Sequence, residues 1–224
     1  MLKADLVAEV AKIKWFHTIN LGQGVVTPGI DDSPAKLKTL GFPRDLGGKS
    51  VLDIGAWDGF FSFEAERRGA SRVLATDSFC WSGPGWGTQD GFKLARRALD
   101  SKVEDQEIEV LDISPERVGK FDVVLFLGVL YHMRHPLLAL EKIASVAKSQ
   151  VILETHADLL TCEWPAMRFY PTTELNGDGS NWWGPNASAV ETMLKEVGFQ
   201  RVEQIYLQPF ENIQQGRLVM HAWK

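Results

Sequence analysis

Cysteine is nearly absent: Cys80 and Cys162 are the only two in 224 residues. They lie far apart, without the paired spacing of metal ligands, so neither a disulfide framework nor a zinc motif is expected. The histidines also lack the spacing of zinc motifs, so no metal site is expected. Long apolar runs are missing too, since no stretch approaches the roughly eighteen residues of a membrane-spanning helix. The opening MLKADLVAEVAKIKW has no uninterrupted apolar core such as a signal peptide carries. Positive charge is in deficit, with 24 Lys and Arg against 29 Asp and Glu, a net charge of -5. That balance argues against a broad basic surface for nucleic acid. These absences predict a cytoplasmic protein with no membrane partner.

With 45% hydrophobic residues the chain can bury one sizeable core. Residues 3–14 place Leu6, Val7, Val10 and Ile13 on one helical stripe. The Gly- and Pro-containing stretch WFHTINLGQGVVTPGIDDSPAKL then reads as a loop, and residues 1–48 as an N-terminal helix and lid segment. From residue 49 to 224 the pattern is regular: SVLDI, SRVLATD, EIEVLD, FDVVLFL and VILETH read as strands alternating with helices. The third strand is thus expected at residues 107–112. Alternation of this kind predicts an α/β fold, an open, mostly parallel sheet with helices on both faces, binding ligands at the strands' carboxyl ends. An aromatic-rich insert at 156–185 interrupts the rhythm, and a helix (NASAVETMLKEVG) and a closing hairpin (RVEQIYL, RLVMHAW) follow. No internal repeat is evident.

The turn LDIGAWDG carries most of the chemistry. Asp53 ends a strand, Gly55 permits a tight turn, and Gly59 precedes the next helix. Trp57 stands where a diphosphate-binding turn needs a glycine for close approach of its backbone. An indole there obstructs a diphosphate, and Asp53 would repel phosphate while attracting an ammonium or sulfonium group. Asp77, followed by Ser78, ends the second strand, where a carboxylate accepts ribose hydroxyls. Asp112 and Ile113, in VLDIS, suit an adenine amino group and ring. Together these residues favour S-adenosylmethionine over NAD.

With GVLYHMRHPLLAL at 128–140, VLDIGAWDGFF and NASAVETMLKEVGF, the chain resembles the class I S-adenosylmethionine-dependent methyltransferases. More narrowly it is similar to the bacterial tRNA wobble-uridine (5-hydroxyuridine) carboxymethyltransferases and their small-molecule relatives. The resemblance runs from about residue 49 to the C-terminus, and WFHTINLGQGVVTPG belongs to the same wider group. It implies a Rossmann-like seven-stranded sheet with an antiparallel last strand. It also implies Gly55 beneath the methionine portion, Asp77 on the ribose, Asp112 and Ile113 at the adenine, and Leu127 and Tyr131 at the methionine end. In the wobble-uridine enzymes the cofactor bears an extra carboxylate held by a tyrosine, an arginine and a lysine. Tyr131 matches the tyrosine and Arg217 the arginine, whereas the lysine has no assigned counterpart because the segment before the glycine turn differs from that of the family. Plain S-adenosylmethionine is therefore the expected cofactor.

Methyl transfer asks for in-line placement, plus a base when the nucleophile is a hydroxyl. His132, with an ordinary imidazole pKa near 6.5, is the candidate base, and Tyr131 beside it a candidate catalytic or cofactor-side hydroxyl. His132 could instead only bond its own loop. His135 more plausibly starts a helix, and His156 could line the cleft. In WFH at 15–17, His17 is either the polar member of a cofactor lid or part of an aromatic staple. Trp164, Phe169, Tyr170, Trp182 and Trp183 could wall a substrate, cover the sheet or meet a second subunit. Three functions compete. They are O-methylation of a small-molecule acceptor, tRNA wobble-uridine modification (which needs a basic patch such as Lys93, Arg96, Arg97 and Arg134) and cofactor binding without turnover.

Overall fold

The computed structural model describes residues 2–211 and 214–224. The chain divides into two compact units, residues 1–109 and 110–224. Seven strands form a sheet in the order β3-β2-β1-β4-β5-β9-β8, and a two-stranded ribbon pairs β6 with β7.

The first unit begins with α1 (Lys3–Val10), which buries Leu6 and Val10. The expected stripe over 3–14 is thus cut short, and Val7 is largely exposed. The stop is local: the Trp15 indole Nε1 donates to the Val10 carbonyl at 3.1 Å, taking an acceptor that helix continuation would use. Residues 15–31 carry their own bonds, from Thr27 N to Ile19 O, from Thr18 N to Asp31 O and from Asp31 N to Phe16 O. A short helix, α2 (Ser33–Thr39), starts where the Asp32 carboxylate accepts from Ala35 N.

The regular alternation follows. It runs β1 (Ser50–Ile54), α3 (Phe60–Arg67), β2 (Arg72–Asp77), α4 (Asp90–Ala98) and β3 (Glu104–Glu107). β1 pairs with β2, and β2 with β3, in parallel. Val51, Leu52 and Ile54 are almost wholly buried, each contributing about 1.5–3 kcal/mol of transfer free energy. α3 packs against β1 and β2, burying Phe60, Phe61 and Phe63.

The third strand corrects the expectation of 107–112. Its register ends with Asp77 opposite Glu107, because β2 itself ends there and leaves residues beyond Ile108 without a ladder. Val110–Asp112 form a 3₁₀ turn instead.

The second unit contains α5 (Pro115–Val118), β4 (Phe121–Leu127), α6 (Pro136–Val146), β5 (Ala147–Ala157), β6 (Met167–Phe169), β7 (Trp183–Pro185), α7 (Ala187–Glu196), β8 (Arg201–Pro209) and β9 (Gly216–Trp223). β4 and β5 are parallel, whereas β9 runs antiparallel to both β5 and β8, as the closing hairpin requires. α6 opens on Pro136, whose missing N–H costs nothing in a first turn. α7 is capped by Asn186, whose Oδ1 accepts from Ala189 N at 2.8 Å while Nδ2 donates to the Cys162 and Trp164 carbonyls. One side chain thereby starts the helix and anchors the insert. Among the described residues, no helix is long and apolar enough to cross a membrane.

Candidate functional site

The turn after β1 is pinned to β2 before any side chain acts. Gly55 N and Ala56 N both donate to the Thr76 carbonyl, at 2.8 and 3.0 Å. Gly55 takes φ +77° and Trp57 φ +49°, a left-handed conformation unfavourable for an indole-bearing residue. Three contacts hold Trp57 there. Its N–H donates to Asp77 Oδ2 at 3.0 Å, its carbonyl accepts from Trp81 Nε1 at 2.7 Å, and its ring stacks on Phe16 with centroids 3.9 Å apart. Trp86 meets the same indole edge-on, and the Lys14 ammonium lies 4.3 Å from the Trp86 ring centre.

Three buried carboxyls line this turn. Asp77, at the tip of β2, also accepts from Cys80 N at 2.9 Å, and burial raises its pKa. Asp53 accepts from Ser62 Oγ at 2.6 Å; burial pushes its pKa up to about 7, Ser62 opposing and Asp77 adding to the rise. Asp58 accepts from Phe16 N at 2.7 Å and His17 N at 3.0 Å, and burial raises its pKa to about 6. The motif therefore contains two acids pressed towards neutrality and sensitive to any cation that displaces water from them.

Two expected members behave differently here. Gly59 faces packing: at φ +87°, an added Cβ would lie 2.6 Å from the Phe92 ring and 2.8 Å from Phe63. Its lack of a side chain serves the join of turn and helix and needs no ligand to explain it. His17 is buried, with Nδ1 lacking a hydrogen-bond partner among the described residues and a pKa lowered by burial to about 3. It is a neutral imidazole among Phe16, Phe60 and Phe61. Ser78, half-buried, follows Asp77, and its carbonyl accepts from Ser82 N and Gly83 N.

Asp112 requires a correction. It sits in the 3₁₀ turn rather than at a strand tip, exposed and ion-paired to Arg117 at 3.2 Å. Ile113 beside it is fully buried.

The second unit gathers its polar groups after β4 and along β5 and β9. Leu127 is half-buried, and Gly128, at φ +74°, donates its N–H to the Glu154 carbonyl at 2.9 Å. Leu130–His132 form a 3₁₀ turn that presents Tyr131 and His132 with ring centroids 4.2 Å apart. Arg217, paired with His156 in the β5–β9 register, places Nη2 3.4 Å from Tyr131 Oη and its guanidinium 5.0 Å from the Tyr131 ring centre. Its Nε lies 3.3 Å from the Glu154 carboxylate. Tyr131 and Arg217 are thus brought together as the resemblance implies, with an acid as third member that the sequence reading missed.

His132 Nδ1 lies 3.1 Å from both the carbonyl and the hydroxyl oxygen of Ser180, and burial lowers its pKa. His156 is buried with Nε2 lacking a hydrogen-bond partner among the described residues, its pKa lowered by burial to about 4. His135 is exposed at the start of α6. The insert's aromatics divide: Tyr170 is buried and donates its hydroxyl to Asp158, whereas Phe169 clusters with Trp182 and Trp183 and Trp164 stands exposed. Of the cations expected to form a basic patch, Arg96 is ion-paired to Asp105, Arg97 to Glu9, and Arg134 lies over the Trp182 ring.

Asp58 and Glu154 were legible only in part. Asp58 looks like a helix-start acid from its neighbours, yet its carboxylate holds the Phe16–His17 backbone. Glu154, in VILETH, gave no signal beyond being a charged residue inside an apolar strand.

The strand order with its antiparallel last strand is the Rossmann-like fold of S-adenosylmethionine-dependent methyltransferases. A structure of the N-terminal domain of EvdMO1 with SAH bound superposes with a TM-score of 0.74 at 17% identity, covering 100% of this chain and 97% of that one. Residues 31–204 match the family model described as a methyltransferase domain, and the chain belongs to that family. Relatives include the tRNA U34 carboxymethyltransferases of Pseudomonas aeruginosa strain LESB58, 29% identical over 69% of this chain and 46% of that protein, and of Pseudomonas putida, 30% identical over 70% and 48%. The chain spans about half the length of these curated relatives.

Proposed function

We propose that this chain is an S-adenosylmethionine-dependent methyltransferase of the cytoplasm, acting on an oxygen of a small hydroxylated molecule. The observation that carries the cofactor is the buried acidic turn. Burial raises the pKa values of Asp53, Asp58 and Asp77, and Asp77 adds to the rise at the other two, in a place where a diphosphate would meet both an indole and acids. Like charges buried together are stabilised by a cation, and a sulfonium or ammonium group fits where a phosphate does not. Asp77 would hold the ribose, the Gly55 turn would lie beneath the methionine portion, and Asp53 would answer the positive charge.

When bound, S-adenosylmethionine supplies an electrophilic methyl group. The second unit's share is proton removal. His132 is neutral at physiological pH, because burial lowers its pKa, and so keeps a lone pair for an acceptor hydroxyl. Arg217 already faces Glu154, which favours the plain cofactor over one bearing a further carboxylate. The tRNA reading is supported by the relatives' names and weakened by the pairing of Arg96 and Arg97 to acids.

Calorimetry with S-adenosylmethionine and its demethylated product tests the cofactor; absence of heat from either overturns the proposal. Methyl-labelled cofactor offered with a panel of monosaccharides and phenols, and separately with bulk tRNA, tests the acceptor. Label on tRNA alone transfers the case to RNA modification, and binding without transfer to any acceptor leaves a cofactor-binding protein.

A further inference from the structure

The insert holds a chain of hydrogen bonds that ends on the proposed base. Ser180 donates twice to the Asp178 carboxylate, through its N–H at 2.8 Å and its hydroxyl at 2.7 Å. The hydroxyl proton is therefore committed, and Ser180 offers His132 Nδ1 two acceptors, the carbonyl and the hydroxyl oxygen, both at 3.1 Å. A nitrogen facing two acceptors carries the proton in the neutral ring. Nε2 is then the lone-pair nitrogen, the state that a base requires.

The turn is fastened independently of this contact. Asn181 Nδ2 donates to the Leu175 carbonyl at 2.8 Å, and Trp182 N donates to the Tyr131 carbonyl at 2.8 Å. Asn176 and Gly177 take the left-handed conformations that reverse the chain ahead of Asp178. The Arg134 guanidinium covers the Trp182 ring.

We propose that Asp178 and Ser180 are positioning residues that fix the tautomer and orientation of His132, so that the insert's turn makes this imidazole a one-way proton acceptor for a hydroxyl. The proposal rests on the reading of His132 as the base. The charged groups facing the imidazole are Asp178 and Arg217, with the Tyr131 ring against it.

Long-range proton–nitrogen correlation spectra of ¹⁵N-labelled imidazoles test it without any acceptor, the His132 signal being identified by its loss in His132→Asn. The wild-type ring is expected as one neutral tautomer, protonated at Nδ1. In Asp178→Ala the freed Ser180 hydroxyl can donate to Nδ1, so the Nε2-protonated tautomer appears and the titration midpoint falls. Asp178→Asn, which keeps an acceptor oxygen, is expected to restore the wild-type tautomer. With whichever member of the monosaccharide and phenol panel accepts label, Asp178→Ala should lower kcat at least about tenfold with cofactor affinity unchanged. A wild-type ring protonated at Nε2 overturns the positioning role, as does an Asp178→Ala protein with unaltered tautomer and kcat. Undiminished transfer by His132→Asn overturns instead the base reading beneath it.

Discussion

The turns after β1 and β4 follow the same strand-to-helix plan, yet they are furnished oppositely. The first is lined by acids whose pKa values burial raises, the second by imidazoles whose pKa values burial lowers. Desolvation disfavours the charged form in both. Its consequence differs with the chemistry: a neutralised acid awaits a cation, whereas a neutral imidazole is a ready base. One physical cause thus underlies both proposed roles, cofactor binding at one turn and proton transfer at the other.

The largest expected effect breaks the first turn. Asp77→Ala removes the acceptor for both the Trp57 and Cys80 amides, and cofactor affinity should fall at least about 100-fold by calorimetry. Affinity that survives would show that the acids there do not bind. His132→Asn is the counterpart, expected to lower kcat about 100-fold or more with cofactor affinity unchanged. If it weakens cofactor binding instead, the division of labour fails.

Next comes pH. With a pKa of about 7, Asp53 is mostly protonated at pH 6, so S-adenosylmethionine should bind about tenfold more weakly there than at pH 8, and Asp53→Asn should abolish that dependence. The sign for stability is opposite. Burial raises the folded-state pKa of Asp53 above its unfolded value, so the stability of its neutral form is fully present below pH 3.8 and is lost as pH rises through about 7. Thermal melts of the ligand-free protein should therefore show a higher Tm for Asp53→Asn than for wild type at pH 8. The smallest effect concerns Trp57→Gly. Glycine accepts φ +49° without strain, which offsets the lost Phe16 stack, and Tm should move by no more than about 3 °C.

Much of this was legible in the chain. The run SVLDIGAWDGFF announces strand, turn and helix because its apolar period changes at the glycines, and the structure has all three there. Tyr131 and Arg217 were paired by resemblance and do meet. Outside that resemblance, what escaped reading was chiefly set by partners remote in sequence. EIEVLD has the composition of a strand but lost its ladder because β2 stops at Asp77. Gly59 reads as a ligand-side glycine until Phe92, far along the chain, is seen against it.

The sequence alone determined the alternation of elements, the helix stops and caps, and the acids and imidazoles at the strand ends, since these depend on neighbours a few residues away. Only the tertiary structure decided which of those groups are charged. Proton affinity depends on how much water is removed and which dipoles replace it, and at Asp53, Asp58 and His132 those surroundings come largely from segments distant in the chain.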